Sequence, residues 1–186
     1  MADTKQELDK IKARISDPDF LANKGLANEV GIHFFCYNAA DELIVREYIE
    51  RLVNAPSDGY RVIERDLYKI FIEILSDMGI LDEVVNMEEE NGKDFLLSEI
   101  QQVADVESFL ERMAYSPHER GKDVLFLTGV GKVFPYMRSH VLLNAMQMAF
   151  GDIPVLVFYP GTFNGKDLSL FDKFSDGNYY RAFNLL

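Results

Sequence analysis

Thr128, Gly129, Gly131 and Lys132 stand in the string TGVGK, where a strand-like run gives way to a helix-like one. A glycine loop at such a junction is how proteins hold phosphate, because its backbone N–H groups face outward and a lysine adds charge. The string departs from a nucleotide-binding P-loop at two positions. That motif places a glycine five residues before Gly131, where this chain has Phe126, and a Ser or Thr after the lysine, where it has Val133. The hydroxyl that would hold magnesium is missing. Phosphate or nucleotide binding by residues 128–134 is one reading; a tight strand-to-helix turn that needs Gly129 and Gly131 for backbone geometry is the other.

Other reactive residue types fall at spacings that disperse them. His33 and Cys36 lie three apart in HFFCY, so strand alternation sends them to opposite faces, and Cys36 is expected to be a small buried hydrophobe beside Phe34. Ser139 and His140 are neighbours on a helix, where adjacent side chains diverge, and the chain has no GxSxG elbow. The three histidines, at 33, 118 and 140, show no metal-ligand spacing. Glu88, Glu89 and Glu90 read as a solvated face rather than a cation site. The residues thus imply no catalytic constellation, no metal and no cofactor.

The elements that would position these residues follow from apolar periodicity. VLFL at 124–127 and VLVF at 155–158 are apolar runs without alternation, the pattern of parallel strands covered on both faces. Between them a helix is expected over 135–150, with Pro135 at its first turn, Leu142, Ala145, Met146, Ala149 and Phe150 on its core face, and Gly151 as a left-handed exit. Upstream, 33–37 reads as the first strand and Asn38 as the cap of a helix burying Val45, Tyr48, Ile49, Leu52 and Val53. The charged run 61–64 suggests an edge strand. Leu67, Ile70, Phe71, Ile74, Leu75 and Met78 form a helical stripe, and Ser98 with Gln101 suggests a capping box before Val103, Val106, Leu110 and Met113. The fold class is α/β: a three-layer, doubly wound, mostly parallel sheet of Rossmann-like or P-loop-like topology without a functional P-loop, plus a C-terminal β extension. Residues 1–30 read as an amphipathic helix and connector, and 31–186 as one domain with a hairpin from about 166, turning at Asp176 and Gly177.

Charge narrows the partners. A net charge of −12 argues against a phosphate-backbone binder, so no direct nucleic-acid contact is expected. The excess is local: residues 82–111 hold ten acids against Lys93 alone. One cysteine rules out an internal disulfide and fits a reducing cytoplasm, and no apolar run approaches a membrane span. Eight of the 23 aromatic residues fall between positions 158 and 183, a density suited to an interface. Phe171, Phe174, Tyr179, Tyr180, Arg181 and Phe183 are the partner-surface candidates; closure over the domain's own sheet edge is the competing reading.

Four segments, HFFCYNAADELIVREYIERL, DVLFLTGVGKVFPYMRSHVLLNAMQ, PVLVFYPGTFNG and NYYRAFNLL, together resemble the BrxB family, the small B component of BREX phage-defence systems, over residues 33–186. The resemblance implies bacterial defence beside a phosphatase-like PglZ protein, a DNA methyltransferase and a large ATPase. It supplies no catalytic residues. Two readings follow, a non-enzymatic component that docks a defence partner, and a degenerate nucleotide-binding domain using residues 128–134.

Overall fold

The structure is a computed structural model that describes residues 4–24, 31–55, 57–175, 177 and 183–185. Its centre is a sheet in the order β2 (Arg61–Asp66), β3 (Asp123–Thr128), β4 (Val155–Phe163), β1 (Ile32–Tyr37), β7 (Phe183–Asn184), every neighbouring pair parallel. The two unalternating runs are neighbours, Leu125 opposite Val155 and Leu127 opposite Val157. Both are buried throughout, because each face carries helices. The charged strand β2 lies at the edge, as its composition requires.

Strand alternation divides the core in two. Phe34, Leu125, Leu127, Val155, Val157 and Tyr159 face α4 (Leu67–Asp77), α6 (Lys93–Val103), α7 (Val106–Met113) and α9 (Ser139–Ala149). Phe35, Tyr37, Val124, Phe126, Leu156 and Phe158 face α1 (Thr4–Ile15), α2 (Pro18–Leu21) and α3 (Glu42–Asn54). Each fully buried Phe or Leu contributes about 1.5–3 kcal/mol, so both helix layers are held firmly. Leu8, Ile11 and Ile15 of α1 are buried in the second layer. The link from β1 through α3 to β2 crosses two strands, and the chain then returns strand by strand on the opposite face, which makes the sheet doubly wound.

Edge strand β2 is tied to β3 by one buried ion. The Asp123 carboxylate takes two hydrogen bonds from Arg61, at 2.7 and 2.8 Å, one from the Tyr115 hydroxyl at 3.0 Å and one from the Glu119 N–H at 2.8 Å. Burial alone would raise its pKa, but these donors outweigh it and hold the carboxyl below the usual range.

Several expected boundaries move. Ser98 lies inside α6, which begins after Gly92, buries Leu96 and Ile100 and ends at Ala104; Asp105 caps α7 instead, accepting from the Ser108 N–H at 2.8 Å. The helix expected over 135–150 starts four residues late. A four-residue turn, α8 (Val130–Val133), is followed by a bend, and α9 starts only at Ser139. Tertiary contacts hold the bend: Tyr136 stacks on Phe71 at 4.8 Å, Met137 is buried, and Gln101 donates to the Pro135 carbonyl at 3.0 Å. Leu143, not Ala149, completes the core face of α9. Gly151 is not left-handed; a Cβ there would lie 2.6 Å from the Gln147 carbonyl, so close approach explains it. Met78 caps α4 from outside and is 61% exposed. Cys36 is half-buried rather than buried, though burial still pushes its thiol up to about 12.

The β extension leaves the sheet through β4, whose end pairs antiparallel with β5 (Leu168–Leu170), which pairs with β6 (Phe174–Ser175). The first reversal uses Asn164, whose side chain accepts from the N–H groups of Lys166 and Asp167. Asp176, half of the expected turn, lies outside the described residues.

Candidate functional site

Three clefts draw on residues 128–134, two of them larger than the third. The first, about 490 Å³, opens at the carboxyl ends of β1, β2 and β3, where ligands of such sheets bind. Tyr37, Glu42, Glu64, Asp66, Thr128, Gly129 and Lys132 reach it. Some of its polar groups answer one another, while Arg46 and Lys69, which also line it, have no acid within ion-pair distance among the described residues. Thr128 donates to Glu64 at 2.9 Å, Tyr37 donates to Glu42, and the Lys132 amine lies 3.8 Å from Glu42. Burial, then the bond to Glu42, push the Tyr37 phenol's pKa upward, so it stays a donor.

The glycines have local explanations. Gly129 is left-handed at φ 74°, and a Cβ there would lie 2.3 Å from Asp66 Oδ1. That carboxylate caps α4 by accepting from the N–H groups of Tyr68 and Lys69. A carboxylate therefore sits where a phosphate would need positive surroundings. Gly131 makes room for a tail residue: its Cβ would be 2.7 Å from the Phe171 ring and 2.9 Å from Pro160. The loop glycines thus seat Asp66 and Phe171.

The second cleft, about 340 Å³, lies between the bend before α9 and the β extension. Tyr159 and Leu170 form its buried floor, Phe134 and Phe174 stand 5.2 Å apart as one wall, and Arg138, Ser139, Lys173 and Ser175 edge it. Phe174 is 50% exposed. The preceding turn carries Phe171 and Asp172 at φ 55° and 57°, closed by the Lys173 N–H donating to the Leu170 carbonyl at 3.0 Å. Two consecutive non-glycine residues at positive φ are costly, about 1 kcal/mol or more each. The Phe171 ring against Gly131 and its N–H to the Pro160 carbonyl at 2.8 Å hold the turn in place.

Of the partner-surface candidates, Phe171 and Phe174 thus meet at this turn. Tyr179, Tyr180 and Arg181 lie outside the described residues, and of Phe183 only its backbone in β7 is described. Phe134 was legible only as the end of the glycine loop, and Arg138, Tyr159, Leu170 and Lys173 were not legible as site residues, because only the bend and the antiparallel return bring them together.

The remaining reactive types stay apart. His33 is buried on the face opposite Cys36, and burial followed by the Arg14 charge lowers its pKa to about 4. His118 bonds Asp152 at 2.8 Å between the rings of Tyr115 and Phe150. Among the described residues no group of three or more His, Cys, Asp or Glu is placed to hold a metal, and no helix is long and apolar enough to cross a membrane.

Comparison with known proteins agrees on one family. Residues 63–185 match the family model described as BREX protein BrxB. The chain is 41% identical over 187 residues to the BREX protein BrxB of Bacillus cereus (strain H3081.97), covering 97% of this chain and 96% of that protein. It is 32% identical over 179 residues to the BREX protein BrxB of Escherichia coli O9:H4 (strain HS), covering 96% and 90%. No solved structure matches. With an α/β sheet whose loop glycines are filled by its own side chains, and relatives that align along nearly its whole length, the chain belongs to the BrxB family and is a component of a BREX system.

Proposed function

We propose that the chain is a non-enzymatic, cytoplasmic docking subunit of its antiviral BREX system, and that it engages a PglZ-like protein of the phosphatase superfamily. The observation that supports this best is Phe174, half-exposed on the wall of an apolar cleft that includes Phe134, Tyr159 and Leu170. A large aromatic held above an apolar floor on a rigid turn is how interfaces present an anchor, and truncating one typically costs about 2–4 kcal/mol of binding. The alternative, nucleotide binding at residues 128–134, has the right location but meets Glu42, Glu64 and Asp66 there. The test is co-purification of the tagged chain with the PglZ-like protein from the same system. Phe174→Ala should lose the partner while melting within about 2 °C of the parent. Undiminished capture would overturn the proposal.

A further inference from the structure

We infer that the cleft walled by Phe134 and Phe174 takes a short acidic segment of the partner, one apolar side chain flanked by carboxylates; this rests on the docking reading above and adds the chemistry of the occupant. The cleft holds about 340 Å³. That is the small end of ligand-pocket volumes, suited to a side chain or two rather than to a broad folded face. Its floor of Tyr159 and Leu170 and its wall of Phe134 and Phe174 call for an aromatic or leucine anchor.

The rim supplies the sign. Arg138 and Lys173 stand on its two sides, and among the described residues neither has an acid within ion-pair distance. The turn's own acid, Asp172, does not line the cleft; it lies near enough to Cys36 to raise that thiol's pKa. On a chain of net charge −12, whose acid is concentrated in residues 82–111, two cations with no acid in ion-pair distance among the described residues form a local positive site around an apolar opening. Ser139 opens α9 at the same edge without a side-chain cap, which adds attraction for a carboxylate. Complementary charge of this kind sets partner choice and association rate. The chain's overall charge disfavours a nucleic acid as occupant.

The experiment uses the full chain and fluorescence anisotropy with three labelled probes: the peptide Asp-Glu-Phe-Leu-Glu-Asp, its counterpart Lys-Lys-Phe-Leu-Lys-Lys, and a single-stranded DNA decamer. The acidic peptide should bind at least tenfold more tightly than the basic one, weaken as salt rises, and lose about tenfold with Arg138→Glu or Lys173→Glu. Equal or stronger binding of the basic peptide, binding of the decamer that these variants abolish, or no binding of the acidic peptide would overturn the inference. Capture of the PglZ-like protein by the same variants separates the two levels. If Phe174→Ala loses the partner while Arg138→Glu with Lys173→Glu retains it, docking stands and the acidic occupant fails. If Phe174→Ala retains the partner, the docking reading itself fails.

Discussion

The two larger clefts share one loop and differ in what their charges face. At the carboxyl ends of the strands, Lys132 lies near Glu42, Thr128 is bonded to Glu64, and Asp66 lies against Gly129. In the aromatic cleft Arg138 and Lys173 have no such answer among the described residues, and Phe174 is half in solvent. Arg46 and Lys69 on the wall of the first cleft also lack an acid within ion-pair distance among the described residues, so the difference lies in the loop: its lysine and threonine are paired in the first cleft, whereas the second presents an open aromatic anchor. Glycines after a strand are therefore ambiguous in a sequence. Here Gly131 admits the Phe171 ring, so the apparent phosphate loop is part of what supports the aromatic cleft.

Gly129→Ala offers the largest expected effect on this contrast. The methyl group would meet Asp66 at a left-handed φ and disturb the cap of α4. Strain plus a lost cap amount to about 2–4 kcal/mol, so thermal unfolding should shift down by roughly 5–10 °C. A variant that melts like the parent but loses a nucleotide-dependent shift would favour the phosphate loop instead.

Acid is the next largest lever, and it acts on the fold rather than on either cleft. His33 refuses a proton in the folded chain until about pH 4, while its unfolded form accepts one near 6.5. Between these values the unfolded state binds more protons, so stability falls as pH drops through that window, by roughly 2–3 kcal/mol at pH 4.5. Asp123, held below the usual carboxylate range, keeps its contribution until lower pH still. Urea midpoints at pH 7 and 4.5 check the sign; His33→Phe should flatten the difference.

The smallest expected effect comes from the acidic helices. Neutralising Glu88, Glu89 and Glu90 to Gln changes charges on or near the surface of α5 (Val84–Asn91), which mostly alter association rate and salt dependence. Stopped-flow association with the proposed PglZ-like partner should change less than tenfold, and less again at high salt. A loss as large as that of Phe174→Ala would move the docking face to α5.

Much of this fold was legible because burial writes itself into composition. The unalternating runs at 124–127 and 155–158 became adjacent buried strands, the charges of 61–64 marked an edge, and Leu67, Ile70, Phe71, Ile74 and Leu75 became the buried stripe of α4. The misplaced boundaries were decided at a distance. Pro135 and Ser98 carry local signals for a helix start, but Phe71, Gln101 and buried Met137 hold the first in a bend, and Leu96 with Ile100 carries α6 through the second. For the site, Phe171 and Phe174 were visible as tail aromatics. Their turn was not, because Phe171 carries no signal for positive φ and Asp172 alone, a residue equally common in other turns, did not mark the reversal.

The most direct test compares the clefts in one titration of the proposed PglZ-like partner, by calorimetry, against Phe174→Ala and Lys132→Ala chains of matched melting temperature. Phe174→Ala should weaken binding about thirtyfold, near 2 kcal/mol, and Lys132→Ala should leave it within twofold. The reverse pattern, with Lys132→Ala costly and Phe174→Ala silent, would contradict the account and return function to the glycine loop.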